Sequence, residues 1–186
     1  LKTPFELKCE NIPVPVGVDT QTPRLSWKLP LLEEDSINRV EIWLSTDSTQ
    51  LSGRQSGYWN KSIIGAPIRV SYDGQPLDSY TTYYWKIGYQ TSSKKTTFSP
   101  ISSFTTGCLS PDNWKGKWIT DKHDITYRPA PYYRKSFQLD KTIEQALLTI
   151  ASAGLHELSV NGQRAGNHFL DPMYTHFDKR ILSVTH

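Results

Sequence analysis

Apolar and aromatic side chains in this sequence recur at every second position and hardly anywhere at the spacing of a helix face. In Arg24-Leu25-Ser26-Trp27-Lys28-Leu29 the residues Leu25, Trp27 and Leu29 fall on one side, which predicts a half-buried strand over 24–29. Val40, Ile42 and Leu44 do the same over 39–44, and Tyr83, Trp85, Ile87 and Tyr89 over 82–89. Phe5, Leu7 and Cys9 predict a first strand, and 68–72 and 102–106 two more. Strands this short need frequent turns, and the 12 Pro and 11 Gly supply them. The abundance of β-formers (6 Trp and 10 Tyr against 1 Met) favours the same class. Six or seven short strands before Gly107 describe an all-β sandwich.

Leu77, followed six residues later by Tyr83 at the head of an alternating strand, fits a tyrosine corner. Its hydroxyl would bond to backbone near Leu77, while Trp27, Ile42 and Trp85 fill the core between sheets. That combination specifies a fibronectin type III-like sandwich over 1–107. Cys108-Leu109-Ser110-Pro111-Asp112-Asn113 reads as a linker of turn-formers over 108–113, and a second module is expected over 114–186. It should hold strands at 132–139, 145–151 and 179–185, with a hairpin about Asn161-Gly162, since both residues accept the positive φ of a tight turn. Four or five strands fall short of the eight or so of a jelly roll. The second module is therefore expected to be a partial jelly-roll-type sandwich, truncated at its C-terminal end, and the chain a fragment of a longer polypeptide. The neighbour of the strand over 179–184 would then come after His186. Its open edge would favour a homodimer through strand addition from a second copy.

Several function classes drop out. The longest apolar runs, such as 146–151, are far shorter than the roughly 20 residues of a membrane-spanning helix, so no membrane partner is expected. At 37% hydrophobic residues the chain is too apolar for disorder. The net charge is only +3, with 11 basic against 10 acidic residues up to Gly107 and 10 against 8 after it, so no basic stripe exists for nucleic acid. Leu1 is preceded by no Met and followed by no apolar signal segment, consistent with a trimmed or processed start. The two cysteines cannot build a disulfide scaffold or a thiolate zinc site. Cys9, on the face of Phe5 and Leu7, reads as a small core residue; Cys108 lies in the linker, and the two are not expected to be bonded.

Nothing suggests a resident cofactor or a metal. No two of the five histidines stand at the i, i+4 helical spacing of a zinc protease, and nucleophile-elbow, Walker and dinucleotide motifs are lacking. A glycosidase needs two facing carboxyls. The acidic run Glu33-Glu34-Asp35 reads as a solvated turn, and no acid receives a catalytic role. Tyr127, Tyr132, Tyr133, Tyr174 and Phe177 fall near loops carrying Asn161, Asn167, His168 and Asp171. These aromatics either fill a second core or offer faces on which sugar rings stack while the polar groups bond hydroxyls. On the second reading the carbohydrate-binding residues are Asn161, Asn167, His168, Asp171 and Tyr174.

Pro23-Arg24-Leu25-Ser26-Trp27-Lys28-Leu29, Gly74-Gln75-Pro76-Leu77 leading to Tyr83-Tyr84-Trp85-Lys86-Ile87, and Phe104-Thr105-Thr106-Gly107 together resemble the fibronectin-type opening module of bacterial α-L-rhamnosidases. Trp114-Lys115-Gly116-Lys117-Trp118-Ile119, Arg134-Lys135-Ser136-Phe137, Glu157-Leu158-Ser159-Val160-Asn161-Gly162-Gln163-Arg164 and Lys179-Arg180-Ile181-Leu182 resemble their second module. The resemblance implies an inverting glycoside hydrolase whose acidic residues lie on an α/α toroid beyond His186. The partners would then be the rest of that enzyme and a rhamnose-containing glycan, and the compartment periplasmic or extracellular. This stretch alone is expected to be inactive, a scaffold with weak carbohydrate contact. In some relatives such a module binds rhamnose through calcium held by adjacent Asp and Asn side chains; here only Val160-Asn161 stands near the hairpin. Met173-Tyr174-Thr175 replaces the family's usual Gly-Trp-Thr, and Asn167 an acidic residue. The alternative to an enzyme module is a stand-alone fibronectin-type adhesion or protein-interaction module, because fold does not fix function.

Overall fold

The computed structural model describes residues 2–33, 35–53, 57–124, 126–127 and 129–186. Glu34, the middle of the acidic run, lies outside the described residues, as does Leu1. In chain order the elements are β1 (Phe5–Cys9), β2 (Val16–Val18), β3 (Arg24–Lys28), β4 (Ile37–Ser45) and the one-turn helix α1 (Ser48–Ser52). There follow β5 (Trp59–Ile64), β6 (Arg69–Ser71), β7 (Thr82–Thr91), β8 (Thr96–Phe98) and β9 (Ser102–Thr106). β10 (Thr149–Ala151), β11 (Ser159–Val160), β12 (Gln163–Arg164) and β13 (Ser183–Thr185) complete the chain.

Two sheets face each other across one core. One has the order β1-β3-β6; the other runs β2-β9-β7-β4-β5, with β8 also paired to β7. All pairings are antiparallel except β2 with β9. Alternation decides which side chains meet between the sheets. Leu25 and Trp27 come from β3, Val40, Ile42 and Leu44 from β4, and Tyr83, Trp85, Ile87 and Tyr89 from β7, all buried. The Trp27 and Trp85 rings lie 6.5 Å apart. Trp85 is fully buried, and its truncation to Ala would cost about 3 to 5 kcal/mol.

The tyrosine corner is present: the Asp78 N–H donates to the Tyr83 hydroxyl at 2.8 Å. Cys9 is buried and, like Cys108, a free thiol. Phe5, expected on the same face as Cys9, is exposed instead. Glu6 takes φ 49° and the register with β3 shifts between Phe5 and Lys8, so this bulge turns Phe5 outward.

β7 is buried on both faces. On the side away from the core, Leu51 of α1 is fully buried, and α1 is capped by Asp47, whose carboxylate accepts from the Thr49 N–H at 2.8 Å. Lys86 is buried there, a costly position without partners. Its ammonium donates to the Leu51 carbonyl and lies between the rings of Trp43 at 4.8 Å and Phe98 at 4.6 Å.

Beyond Asn113 the character changes. Among the described residues of 114–186 only Pro172 is buried. The hairpin β11–β12 closes through Asn161 at φ 51° and Gly162 at φ 79°, the left-handed pair that a type I′ turn requires. The strand predicted over 145–151 is confined to β10, and the one over 179–185 to β13. These two pair antiparallel, Ile150 opposite Val184, so one edge of the last strand is occupied from within the chain rather than by a later neighbour. The strand predicted over 132–139 does not form, and those residues are exposed. No other described strand pairs with them, and an extended segment without a ladder leaves its N–H and C=O groups to water.

Candidate functional site

The five candidate sugar-contact residues sit on the loops around the hairpin. Asn161 occupies its turn; Asn167, His168 and Tyr174 are exposed. Asp171 is held by a two-way backbone exchange: the His156 N–H donates to the Asp171 carbonyl at 2.6 Å and the Asp171 N–H to the His156 carbonyl at 3.1 Å. His168 and Asp171 are brought together, Nδ1 to Oδ1 at 3.9 Å. The Tyr174 ring meets Phe177 edge to face, centroids 5.1 Å apart, and Tyr174 is 78% exposed. No hydrogen bond or ring contact among the described residues links Asn161 or Asn167 to this group. The Arg164 guanidinium lies 3.3 Å from the centre of the Phe169 ring and pairs with Glu157 at 3.4 Å. It fixes the segment between the hairpin and His168, a contact invisible in strand periodicity.

Two shallow clefts of about 260 Å³ lie elsewhere. One is lined by Tyr80, Asn113, Trp114, Lys115, Leu147 and Thr149; the other by Asp121, His123, Asp124, Tyr127 and Tyr133. Periodicity groups neither set of residues, although Tyr127 and Tyr133 are among the candidate stacking aromatics and Leu147 and Thr149 lie in the strand predicted over 145–151. Only the crowding of Asp121, His123 and Asp124 beside Tyr127 and Tyr133 signalled the second.

Where described carboxyl groups depart from their ordinary values, they go down. The Lys28 ammonium lowers Glu6, Arg24 lowers Glu10, Lys61 lowers Asp73 and His123 lowers Asp121. A glycosidase's general acid needs the opposite, an environment that holds its proton. Among the described residues no group of three or more His, Cys, Asp and Glu stands close enough to hold a metal. Glu157 and Asp171, adjacent in the loop system, serve other ends: Glu157 pairs with Arg164 and Asp171 with the His156 backbone.

The order of modules decides the family. The Rha78A-like N-terminal immunoglobulin domain matches residues 4–110, more than half of the chain. The chain belongs to this Rha78A-like family. Residues 141–186 match the α-L-rhamnosidase N-terminal domain. An α-L-rhamnosidase of Formosa agariphila is 28% identical over 95% of the chain, which spans 20% of that relative's length. The solved α-L-rhamnosidase of Dictyoglumus thermophilum superposes over all of the chain and 23% of its own, with TM-score 0.87 and 32% identity. The α-L-rhamnosidase of Aspergillus terreus shares the fold over 99% of the chain and 21% of its own, with TM-score 0.71 and 20% identity. The family members it matches are thus about five times longer, and it corresponds to their N-terminal modules.

Proposed function

We propose that this chain is the non-catalytic N-terminal part of an α-L-rhamnosidase that removes terminal α-L-rhamnose from glycans or glycosides. The observation that carries this is the in-order match of both modules to relatives of that name. The division is 1–107 for a fibronectin type III-like sandwich, 108–113 for a linker and 114–186 for part of a jelly-roll-type module. The strand order, with three strands facing the larger sheet, supports the first of these labels. The α/α toroid that carries the acidic machinery is the main partner, and the compartment is periplasmic or extracellular.

Scaffolding is the first task of these modules and sugar contact the second. Asn161, Asn167, His168, Asp171 and Tyr174 form the contact surface; the exposed ring of Tyr174 and the nearby His168–Asp171 pair suit a pyranose ring. The free edge of β13 offers a second copy a place to add a strand. The experiment incubates purified chain with an aryl α-L-rhamnoside and titrates it with rhamnose, with and without calcium. No turnover is expected, with weak rhamnose binding that Tyr174→Ala removes. Turnover above a buffer blank that survives repurification would overturn the non-catalytic reading. Light scattering that shows a strict monomer would overturn the strand addition.

A further inference from the structure

His156 and His186 are distant in sequence, yet their rings meet edge to face with centroids 6.2 Å apart at 79°. The Nε2 atom of each ring is buried and has no hydrogen-bond partner among the described residues. His156 Nδ1 is engaged by the Ser152 hydroxyl at 2.8 Å. A neutral imidazole tolerates a bare ring nitrogen, because that nitrogen is only an unused acceptor. A protonated one cannot be indifferent: it carries a charge and a second N–H into a place that offers no acceptor. The neighbouring His186 ring also disfavours a charge on His156.

The position of the pair gives this chemistry a mechanical consequence. The His186 N–H donates to the Leu148 carbonyl at 2.8 Å and the Leu148 N–H to the His186 carbonyl at 3.0 Å, extending the β10–β13 ladder by one pair. The adjacent Thr185 hydroxyl bonds that of Thr149 at 3.0 Å. Thr185 in turn rests on β2 of the first module, over Gly17 at φ 86°; a Cβ there would stand 3.2 Å from the Thr185 Cβ. On the other side, His156 carries the exchange with Asp171. The two rings therefore tie the loop around Asp171 to the strand that seats the second module on the first.

The titratable groups acting on His156 are few. Burial holds it below the ordinary histidine value of 6.5, the Asp171 carboxylate pulls the other way, and His186 adds to the lowering. His168 stands one step further off, against the Asp171 carboxylate. We propose that the His156–His186 ring pair is a pH-sensitive clasp: neutral, it keeps β13 seated on β2; on taking up a proton, it opens and loosens the second module from the first. Because the folded state disfavours the charged form, the clasp is intact above the ordinary histidine value and is lost as the pH falls below it. This holds whatever glycan the parent enzyme handles.

The test is amide hydrogen exchange followed by NMR on the whole chain at about pH 7.5 and about pH 5.5, corrected for intrinsic exchange. Protection of the Leu148 and His186 amides should fall about tenfold or more at the lower pH, while Ile42 and Ile87 in the first core stay unchanged. The double variant His156→Phe/His186→Phe keeps two rings without a titrating group, and its protection should be independent of pH. A change of less than about twofold in the parent chain, or the same fall in the double variant, would overturn the proposal. If the double variant does not fold, imidazole titration of the parent chain decides: His156 titrating below 6.5 supports the clasp, and at or above 6.5 overturns it.

Discussion

Replacing Tyr83 by Phe removes a single oxygen from a ring that is fully buried, stacked 5.5 Å from Phe104 and met edge-on by Tyr58 at 5.0 Å. The packing survives; the corner does not. The Tyr83 hydroxyl accepts the Asp78 N–H at 2.8 Å and donates to the Tyr58 hydroxyl at 3.3 Å. Tyr58 keeps its own bond to the Pro76 carbonyl at 2.8 Å, so Asp78 is the group left without a partner. A made hydrogen bond contributes about 1 kcal/mol, and a buried orphaned donor costs about 1 to 3 kcal/mol. With this amide only partly buried, the expected loss is about 1.5 to 2.5 kcal/mol. For a module of this size that lowers the melting temperature by about 6 to 15 °C. Urea unfolding followed by the fluorescence of Trp27 and Trp85 reads the loss directly. The slope should stay as in the parent, because the surface exposed on unfolding is the same. Tyr58→Phe provides the comparison, since its hydroxyl is more exposed and should matter less. A Tyr83→Phe midpoint within about 0.3 kcal/mol of the parent would refute the view that this hydroxyl fastens the turn before β7.

At Gly88 a Cβ would stand 2.5 Å from the Phe98 ring. Gly88→Ala should therefore push β8 off β7 and cost about 1 to 3 kcal/mol in the same unfolding assay; an unchanged midpoint would mean that Phe98 has room to move. Burial pushes the Cys9 thiol up to about 12, so iodoacetamide at about pH 8 should alkylate the half-buried Cys108 first and Cys9 only on unfolding. Equal rates by mass spectrometry would contradict the assignment of Cys9 to the core. Asp35 is lowered from 3.8 to about 2, chiefly by the Ser93 hydroxyl and then by Thr91. Its contribution is complete above the ordinary carboxylate value and lost as the pH falls from there to about 2. Carboxyl NMR titration should show this, and Ser93→Ala should raise the midpoint; a parent midpoint at the ordinary value would refute it.

The alternation expected over 5–9, 68–72 and 102–106 also yields β1, β6 and β9, but the strands that the sequence discloses most plainly are those whose inward faces are wholly apolar. Leu25 and Trp27, Val40, Ile42 and Leu44, and the run from Tyr83 to Tyr89 satisfy that condition, and β3, β4 and β7 follow. β5 escapes detection because Lys61 sits between Trp59 and Ile63 on its half-buried side; the lysine is tolerated there through its ion pair with Asp73. β2 and β8 are three residues each, too short to show a period. α1 has one turn and a single buried side chain, Leu51, so no helical spacing can appear. Among the candidate sugar residues, Asp171 and His168 could be grouped by their i, i+3 separation. Nothing local announces that His156 meets His186 or that Arg164 covers Phe169, since both contacts depend on how the loops fold back.

The two halves differ in what they can bury, and the difference explains the reach of the reading. In the first, two sheets shield each other, so the apolar residues at alternate positions of β3, β4 and β7 find partners and periodicity translates into burial. In the second, β10–β13 and β11–β12 are separate two-stranded pairs, and such ribbons are marginal alone. Phe137, Phe169, Met173 and Tyr174 stay exposed as a consequence. The relatives are about five times longer than the chain. The alternating pattern over 132–139 encodes strand propensity; a ladder partner, not propensity, is what it lacks here.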